Sequence, residues 1–169
     1  MLTFGCLNIL RSLSPLKLDD LLTEFRDCAL DVLLMCETWH DSDSVTISRL
    51  RSDGFTVVER ARPRRVPDSF GTNHGGVAIV AAAGVRMSAV DVGLQPLTFE
   101  FVAAHVSSGS ASCVVVDIYC PGSAAATTDF FAEFVDLLDR LSTYTVPLVL
   151  AGDVNIRLER TSDSETGVH

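Results

Sequence analysis

The tetrapeptide Gly152-Asp153-Val154-Asn155 follows an unbroken apolar run, Val146-Pro147-Leu148-Val149-Leu150-Ala151. Such a run reads as a buried strand. Side chains two residues apart on a strand share a face, so the spacing predicts Asp153 and Asn155 side by side at the strand's mouth. An ionised aspartate accepts hydrogen bonds, and an asparagine both donates and accepts. The pair suits holding a water and a phosphate oxygen together. Three more polar residues close apolar runs: Asn8 in Gly5-Cys6-Leu7-Asn8, Glu37 in Leu34-Met35-Cys36-Glu37, and Tyr119 in Asp117-Ile118-Tyr119. Strand ends are where α/β architectures gather a site from distant parts of the chain.

Each of these residues also has an ordinary explanation. Asn8 suits a turn, Glu37 a solvated position, Tyr119 a core aromatic with a wet hydroxyl, and Gly152-Asp153 a common turn. All four together, each at the end of a strand, weigh against coincidence.

The elements that must position them follow from periodicity. Strands are expected at Leu2 to Ile9, Asp31 to Cys36, Gly54 to Arg60, Gly76 to Ala82, Val85 to Val92, Phe99 to Val106, Cys113 to Tyr119 and Val146 to Asp153. Ser14-Pro15 supplies a cap and a first-turn proline for a helix through Cys28, with Leu18, Leu21, Leu22 and Phe25 on one face. A second helix is expected from Thr128 to Leu141, with Phe131, Phe134, Val135, Leu138 and Leu141 inward. Strand, helix and strand at the start make a parallel unit. Ser107-Ser108-Gly109-Ser110 reads as a hairpin turn, so the sheet is mixed. Ala61 to Gly76, with Pro63, Pro67 and Gly71, reads as a loop. The polar tail from Glu159 shows no pattern.

At 169 residues the chain is expected to be a single domain, long enough to bury roughly 70% of its unfolded surface. Hydrophobic residues make up 47% and mean hydropathy is +0.31, which implies a large β core rather than disorder. The net charge of −9 argues against a dedicated nucleic-acid-binding module with a basic face. It leaves open an enzyme acting on nucleic acid, whose metal site is itself acidic. No run approaches the ~20 apolar residues of a membrane helix, and Met1-Leu2-Thr3-Phe4 lacks a basic leader region. An intracellular protein away from membranes is expected, with nucleus and cytoplasm not distinguished. The five cysteines, Cys6, Cys28, Cys36, Cys113 and Cys120, show no Cys-x-x-Cys pairing and read as reduced core thiols.

In chain order, Leu7-Asn8 with Arg11-Ser12, Cys36-Glu37-Thr38-Trp39, His74-Gly75-Gly76-Val77, Ile118-Tyr119 with Pro121, and Gly152-Asp153-Val154-Asn155-Ile156 form one ordered set. The set resembles the endonuclease/exonuclease/phosphatase superfamily, and within it the apurinic-endonuclease-like domain of non-LTR (LINE-type) retrotransposons. The resemblance implies a four-layered αββα sandwich over residues 1–169. It also implies hydrolysis of a phosphodiester in DNA, with Mg²⁺ or Mn²⁺ as cofactor. On that resemblance Glu37 is the metal ligand, because a hard cation takes few protein carboxylates and keeps several waters. Asp153 orients or deprotonates the attacking water, Asn8 and Asn155 hold the phosphate and that aspartate, and Tyr119 contacts a phosphate oxygen. His74, Arg62 and Arg64 are candidate substrate contacts, the arginines from a cluster that also holds Arg60 and Arg65. His40, His105 and His169 match no catalytic position of the family.

The chain departs from that pattern at its end. The family's catalytic histidine lies in a Ser-Asp-His motif beyond the Gly-Asp-x-Asn strand, and Asp163-Ser164-Glu165 is not that motif. The expectation is therefore a domain incomplete at its C-terminus, inactive or nearly so by itself. Unpaired sheet edges would then favour self-association. Many retroelement relatives also have Asn-x-Arg-Ser where this chain has Asn8-Ile9-Leu10-Arg11-Ser12, and an arginine where Cys120 stands. An inositol or lipid phosphatase of the same superfamily and a non-catalytic interaction fragment are the rival readings.

Overall fold

The computed structural model describes residues 1–10, 15–41, 44–62, 75–121 and 127–155, with only the backbone of Pro15. Eight strands and three helices are present among them: β1 (Phe4–Asn8), α1 (Pro15–Asp27), β2 (Val32–Cys36), α2 (Val45–Ser52), β3 (Thr56–Arg60), β4 (Val77–Ala81), β5 (Arg86–Ala89), β6 (Glu100–Ser108), β7 (Ala111–Tyr119), α3 (Thr128–Leu141) and β8 (Leu148–Asp153).

The strands form two four-stranded sheets, ordered β1-β2-β4-β3 and β5-β6-β7-β8. The first has a parallel pair, β1 with β2, joined by the crossover helix α1, while β4 runs antiparallel to both β2 and β3. The second is antiparallel except for its last pair, β7 with β8, where α3 makes the crossover. Both parallel pairs need such a crossover because a tight turn cannot join parallel strands.

Three apolar layers hold the sandwich together. Leu18, Leu22 and Phe25 of α1, with Ile47 and Leu50 of α2, pack on Leu33, Met35, Ala78 and Val80 of the first sheet. Between the sheets, Val32, Leu34, Ile79 and Ala81 meet Ala104, Val106, Cys113 and Val115. On the far side, Phe130, Leu137 and Leu141 of α3 cover Phe99, Phe101, Val114, Val116 and Ile118. Helices outside two stacked sheets make the αββα order expected from the sequence.

Three expectations are corrected. Helix α2 was not foreseen; Ser44 caps it, accepting from the Ile47 N–H at 3.5 Å, and only Ile47 and Leu50 are buried. The inward face of α3 is rotated from the one expected: Phe131, Val135 and Leu138 are 51%, 54% and 41% exposed, whereas Phe130 and Leu137 are buried. Phe130 wins the inward place because its ring meets Phe99 edge-on at 5.7 Å and stacks on Phe134 at 5.7 Å. Finally, Cys6 and Cys28 are exposed rather than in the core; Cys36 and Cys113 are buried. No helix of the described residues is long and apolar enough to cross a membrane.

Candidate active site

Strands β1, β2, β7 and β8 all end on the same side, and their last residues converge. The register pairs Asn8 with Cys36 in one sheet and Tyr119 with Asp153 in the other. Each of the two parallel pairs therefore delivers its C-terminal residues to the seam between the sheets.

Asn8 is the centre of the cluster. Its amide nitrogen donates to Glu37 Oε1 at 3.1 Å and to Asp153 Oδ2 at 2.7 Å, so one neutral side chain bridges two carboxylates from different sheets. The Asn8 oxygen accepts from the Leu10 N–H at 3.1 Å, which fixes the amide's orientation. Tyr119 is hydrogen-bonded to Glu37. Burial, reinforced by that bond, pushes its phenol above the ordinary value, so it stays protonated at neutral pH.

Strand alternation alone would not bring Glu37 here. Cys36 faces the second sheet, and the next residue should point the other way. Glu37 escapes this because its φ is +52°, a left-handed conformation that re-aims the side chain. Leu10 (φ +58°), Trp39 (+45°) and Asn155 (+46°) are also left-handed. Four of the five such non-glycine residues thus lie within two positions of Asn8, Glu37 or Asp153. Each costs on the order of 1 kcal/mol, and strain of this kind concentrates where a site over-determines the backbone.

Two glycines make the approach possible. Gly152 has φ +132°, and a Cβ there would collide with the backbone of Ile118. Only glycine lets β8 press this close to β7 immediately before Asp153. Gly76 has φ +94°; its N–H donates to Glu100 Oε2 at 2.6 Å, and its carbonyl accepts from the Thr38 N–H at 3.3 Å. Gly76 and Gly75, which accepts from the Trp39 N–H at 2.8 Å, thereby pin the Glu37-Thr38-Trp39 turn.

The remaining expected residues divide. Asn155 holds Asp153 through its main chain, the N–H donating to Asp153 Oδ1 at 3.1 Å. Its side chain turns instead to the Cys120 carbonyl at 3.0 Å. Asn155 lies beyond the end of β8, so it does not share a strand face with Asp153. Arg62 forms an ion pair with Glu100 and lies over the Tyr119 ring at 5.7 Å. Arg60, from the same cluster, lies 5.9 Å over Phe101. His74, Arg64 and Arg65 fall outside the described residues. Neither described histidine joins the cluster: His40 is bound to Thr38 at 2.5 Å and Glu59 at 3.0 Å, and His105 to Ser112 at 2.8 Å.

Glu100 and Asp117 escaped the sequence reading. Glu100 opens β6 and ties Arg62 to Gly76. Asp117 is fully buried two residues before Tyr119 and takes a hydrogen bond from the Cys36 thiol at 3.2 Å. Burial raises its carboxyl to about 7, against the opposing effect of the thiol bond. The signal was available in both cases, since each is an acid inside or at the start of an apolar run.

The donor set fits a hard divalent cation. Among the described residues no lysine or arginine ion-pairs with Glu37 or Asp153, so their two charges meet with only the Asn8 amide between them. The described residues hold no group of three or more His, Cys, Asp or Glu side chains placed to bind a metal ion, so a cation here would rest on few protein ligands. One carboxylate with water completing the shell is how Mg²⁺ is commonly held.

Comparisons with known proteins agree with this fold. No curated protein matches the chain in sequence. Among solved structures, the human Nocturnin catalytic domain with bound sulfate superposes with a TM-score of 0.62 at 21% identity, over 89% of this chain and 62% of its own. An AP endonuclease from Archaeoglobus fulgidus gives 0.60 at 18%, over 94% and 59%. The endonuclease domain of TRAS1, a telomere-specific non-LTR retrotransposon, gives 0.59 at 13%, over 90% and 58%. The chain thus spans about 60% of the length of these structures, and at such identities they establish the fold. A model of the Endonuclease/Exonuclease/phosphatase family matches residues 5–165, a stretch that holds all the described strands except Phe4 of β1 and every residue of the cluster. Convergent strand ends, the αββα layers and that match together make this chain a member of the endonuclease/exonuclease/phosphatase family.

Proposed function

We propose that the chain carries the metal-dependent phosphodiesterase site of a DNA-nicking endonuclease domain of the non-LTR retrotransposon type. The observation that carries this reading is the Asn8 amide held between Glu37 and Asp153. An Mg²⁺ or Mn²⁺ ion on Glu37 would neutralise charge on the phosphoryl group. Asp153, oriented by Asn8 and by the Asn155 N–H, accepts the proton of the attacking water. The Tyr119 phenol, kept protonated, exchanges its bond to Glu37 for one to a phosphate oxygen when substrate is bound. The TRAS1 domain and the archaeal AP endonuclease, both named for endonuclease activity, support the endonuclease reading.

The test pairs binding with turnover. Mn²⁺ should bind saturably and be lost in Glu37→Gln. Nicking of supercoiled plasmid in Mg²⁺ should be slow, because neither described histidine reaches the site, and Asp153→Ala should abolish it. Phosphate release from a phosphoinositide faster than nicking would replace this reading with a phosphatase. A chain that binds no Mn²⁺ and cleaves neither substrate would leave only an interaction role.

Among the described residues each of β1 and β8 has a single strand neighbour, and the two edges lie together on one flank with Leu7, Leu148 and Leu150 exposed. Self-association through this flank is therefore part of the proposal. It predicts a sedimentation coefficient that rises with concentration.

A further inference from the structure

Asp117 is the least economical residue in the core. Its side chain is fully buried, and among the described residues its Oδ2 has no partner within hydrogen-bond geometry, although the Met35 and Ala78 main chain lies close enough to oppose the effect of burial. A leucine of similar size would avoid the desolvation of an acid. What the carboxyl offers is a place for the Cys36 thiol, which lies 3.2 Å from Asp117 Oδ1 and 3.4 Å from the Ile118 carbonyl. Cys36 immediately precedes Glu37, and Asp117-Ile118 immediately precedes Tyr119. The thiol therefore ties the last residue of β2 to the end of β7 in the other sheet, one residue below the Glu37–Tyr119 contact.

We infer that Cys36 and Asp117 form a cross-sheet latch that positions Glu37, and that Asp117 acts as a positioning residue for the site. The strained turn at Glu37 is held on its far side by Gly75 and Gly76, and the latch holds it on its near side. A left-handed glutamate relaxes by swinging its side chain to the opposite face, and the thiol bond fixes the residue on which that turn pivots. Groups that hold a metal-binding side chain in place contribute to affinity without touching the ion. The cation-binding part of this inference rests on the proposed role of Glu37; the positional part does not.

Trp39, the single tryptophan of the chain and two residues past Glu37, reports the turn directly. The experiment compares Cys36→Ala and Asp117→Leu with the conservative Cys36→Ser and Asp117→Asn. Cys113→Ala serves as a control, being a buried cysteine outside the latch. Folding is followed by circular dichroism, Trp39 by acrylamide quenching, and the ion by Mn²⁺ titration. Cys36→Ala and Asp117→Leu should raise Trp39 quenching about twofold and weaken Mn²⁺ about tenfold, as is usual for groups that support a metal ligand. The serine and asparagine variants should stay near the parent. Asp117→Leu should be no less stable than the parent, which separates positioning from mere support. Raised quenching in a protein that binds no Mn²⁺ would uphold the latch and reject the metal role of Glu37. Quenching and Mn²⁺ affinity equal to those of Cys113→Ala would overturn the latch.

Discussion

Midway along the sandwich, Leu34 and Ile79 of one sheet pack against Ala104 and Val115 of the other, and nothing polar intervenes. At the end of the same strands the filling changes. Asn8, Cys36 and Glu37 meet Asp117, Tyr119 and Asp153, and hydrogen bonds link one sheet to the other: Asn8 to Asp153, Cys36 to Asp117, and Cys36 to the Ile118 carbonyl. The two halves share strands, register and spacing. They differ in what fixes the sheets relative to each other. Hydrocarbon packing is strong but non-directional, so it sets the distance between sheets without specifying the position of one atom. Hydrogen bonds contribute less net stability, yet they select a geometry. The apolar half keeps the sandwich folded and the polar half sets where its functional atoms sit.

This division can be broken first in the apolar half. Leu34 is fully buried, and Leu34→Ala should cost about 3–5 kcal/mol. Urea denaturation would show it as a lower midpoint, and a cost below about 1 kcal/mol would mean the layer repacks freely.

The next effect lies in the polar half and depends on pH. The Asp117 carboxyl stands at about 7 in the folded protein, above its ordinary 3.8. Between those values the folded state keeps a proton that the unfolded chain has released. Its contribution to stability is therefore full below pH 3.8 and lost as pH rises through about 7. The span is on the order of 4 kcal/mol at ~1.4 kcal/mol per pH unit. Asp117→Asn should flatten this dependence in unfolding curves taken from pH 4 to pH 8; an unchanged slope would assign it to another group.

The smallest effect sharpens the comparison at its centre. Asn8→Ala removes the bridge between Glu37 and Asp153, at a cost of about 1–2 kcal/mol. Mg²⁺ should recover part of that loss in a thermal melt by screening the two carboxylates. Equal melting temperatures with and without Mg²⁺ would count against a cation at this position.

How much was legible in the sequence follows the same line. All eight strands were anticipated, because alternation, apolar runs and turn residues are local signals. The approach of Asn8, Glu37, Tyr119 and Asp153 followed from their positions at strand ends. Features fixed by a single backbone angle or by one tertiary contact were not legible. Helix α2 buries only Ile47 and Leu50, too few to mark a period. The face of α3 was decided by Phe99, a partner from another element. The reversal of Glu37 rests on its φ, and the turn of the Asn155 amide toward Cys120 on a left-handed residue beyond the strand. Asp117 was visible as an acid in an apolar run, but its thiol partner lies 81 residues away.

The bond from Asn8 to Asp153 has a consequence for the order of events in folding. It joins residues 145 positions apart, from the first to the last of the described strands. Closing so long a loop precedes any reward from the contact itself. The β1–α1–β2 unit can form early from near neighbours, yet Asn8 and Glu37 then lack the opposite carboxylate. The Asn8–Asp153 contact therefore forms only once both stretches have been made, later than the local β1–α1–β2 unit.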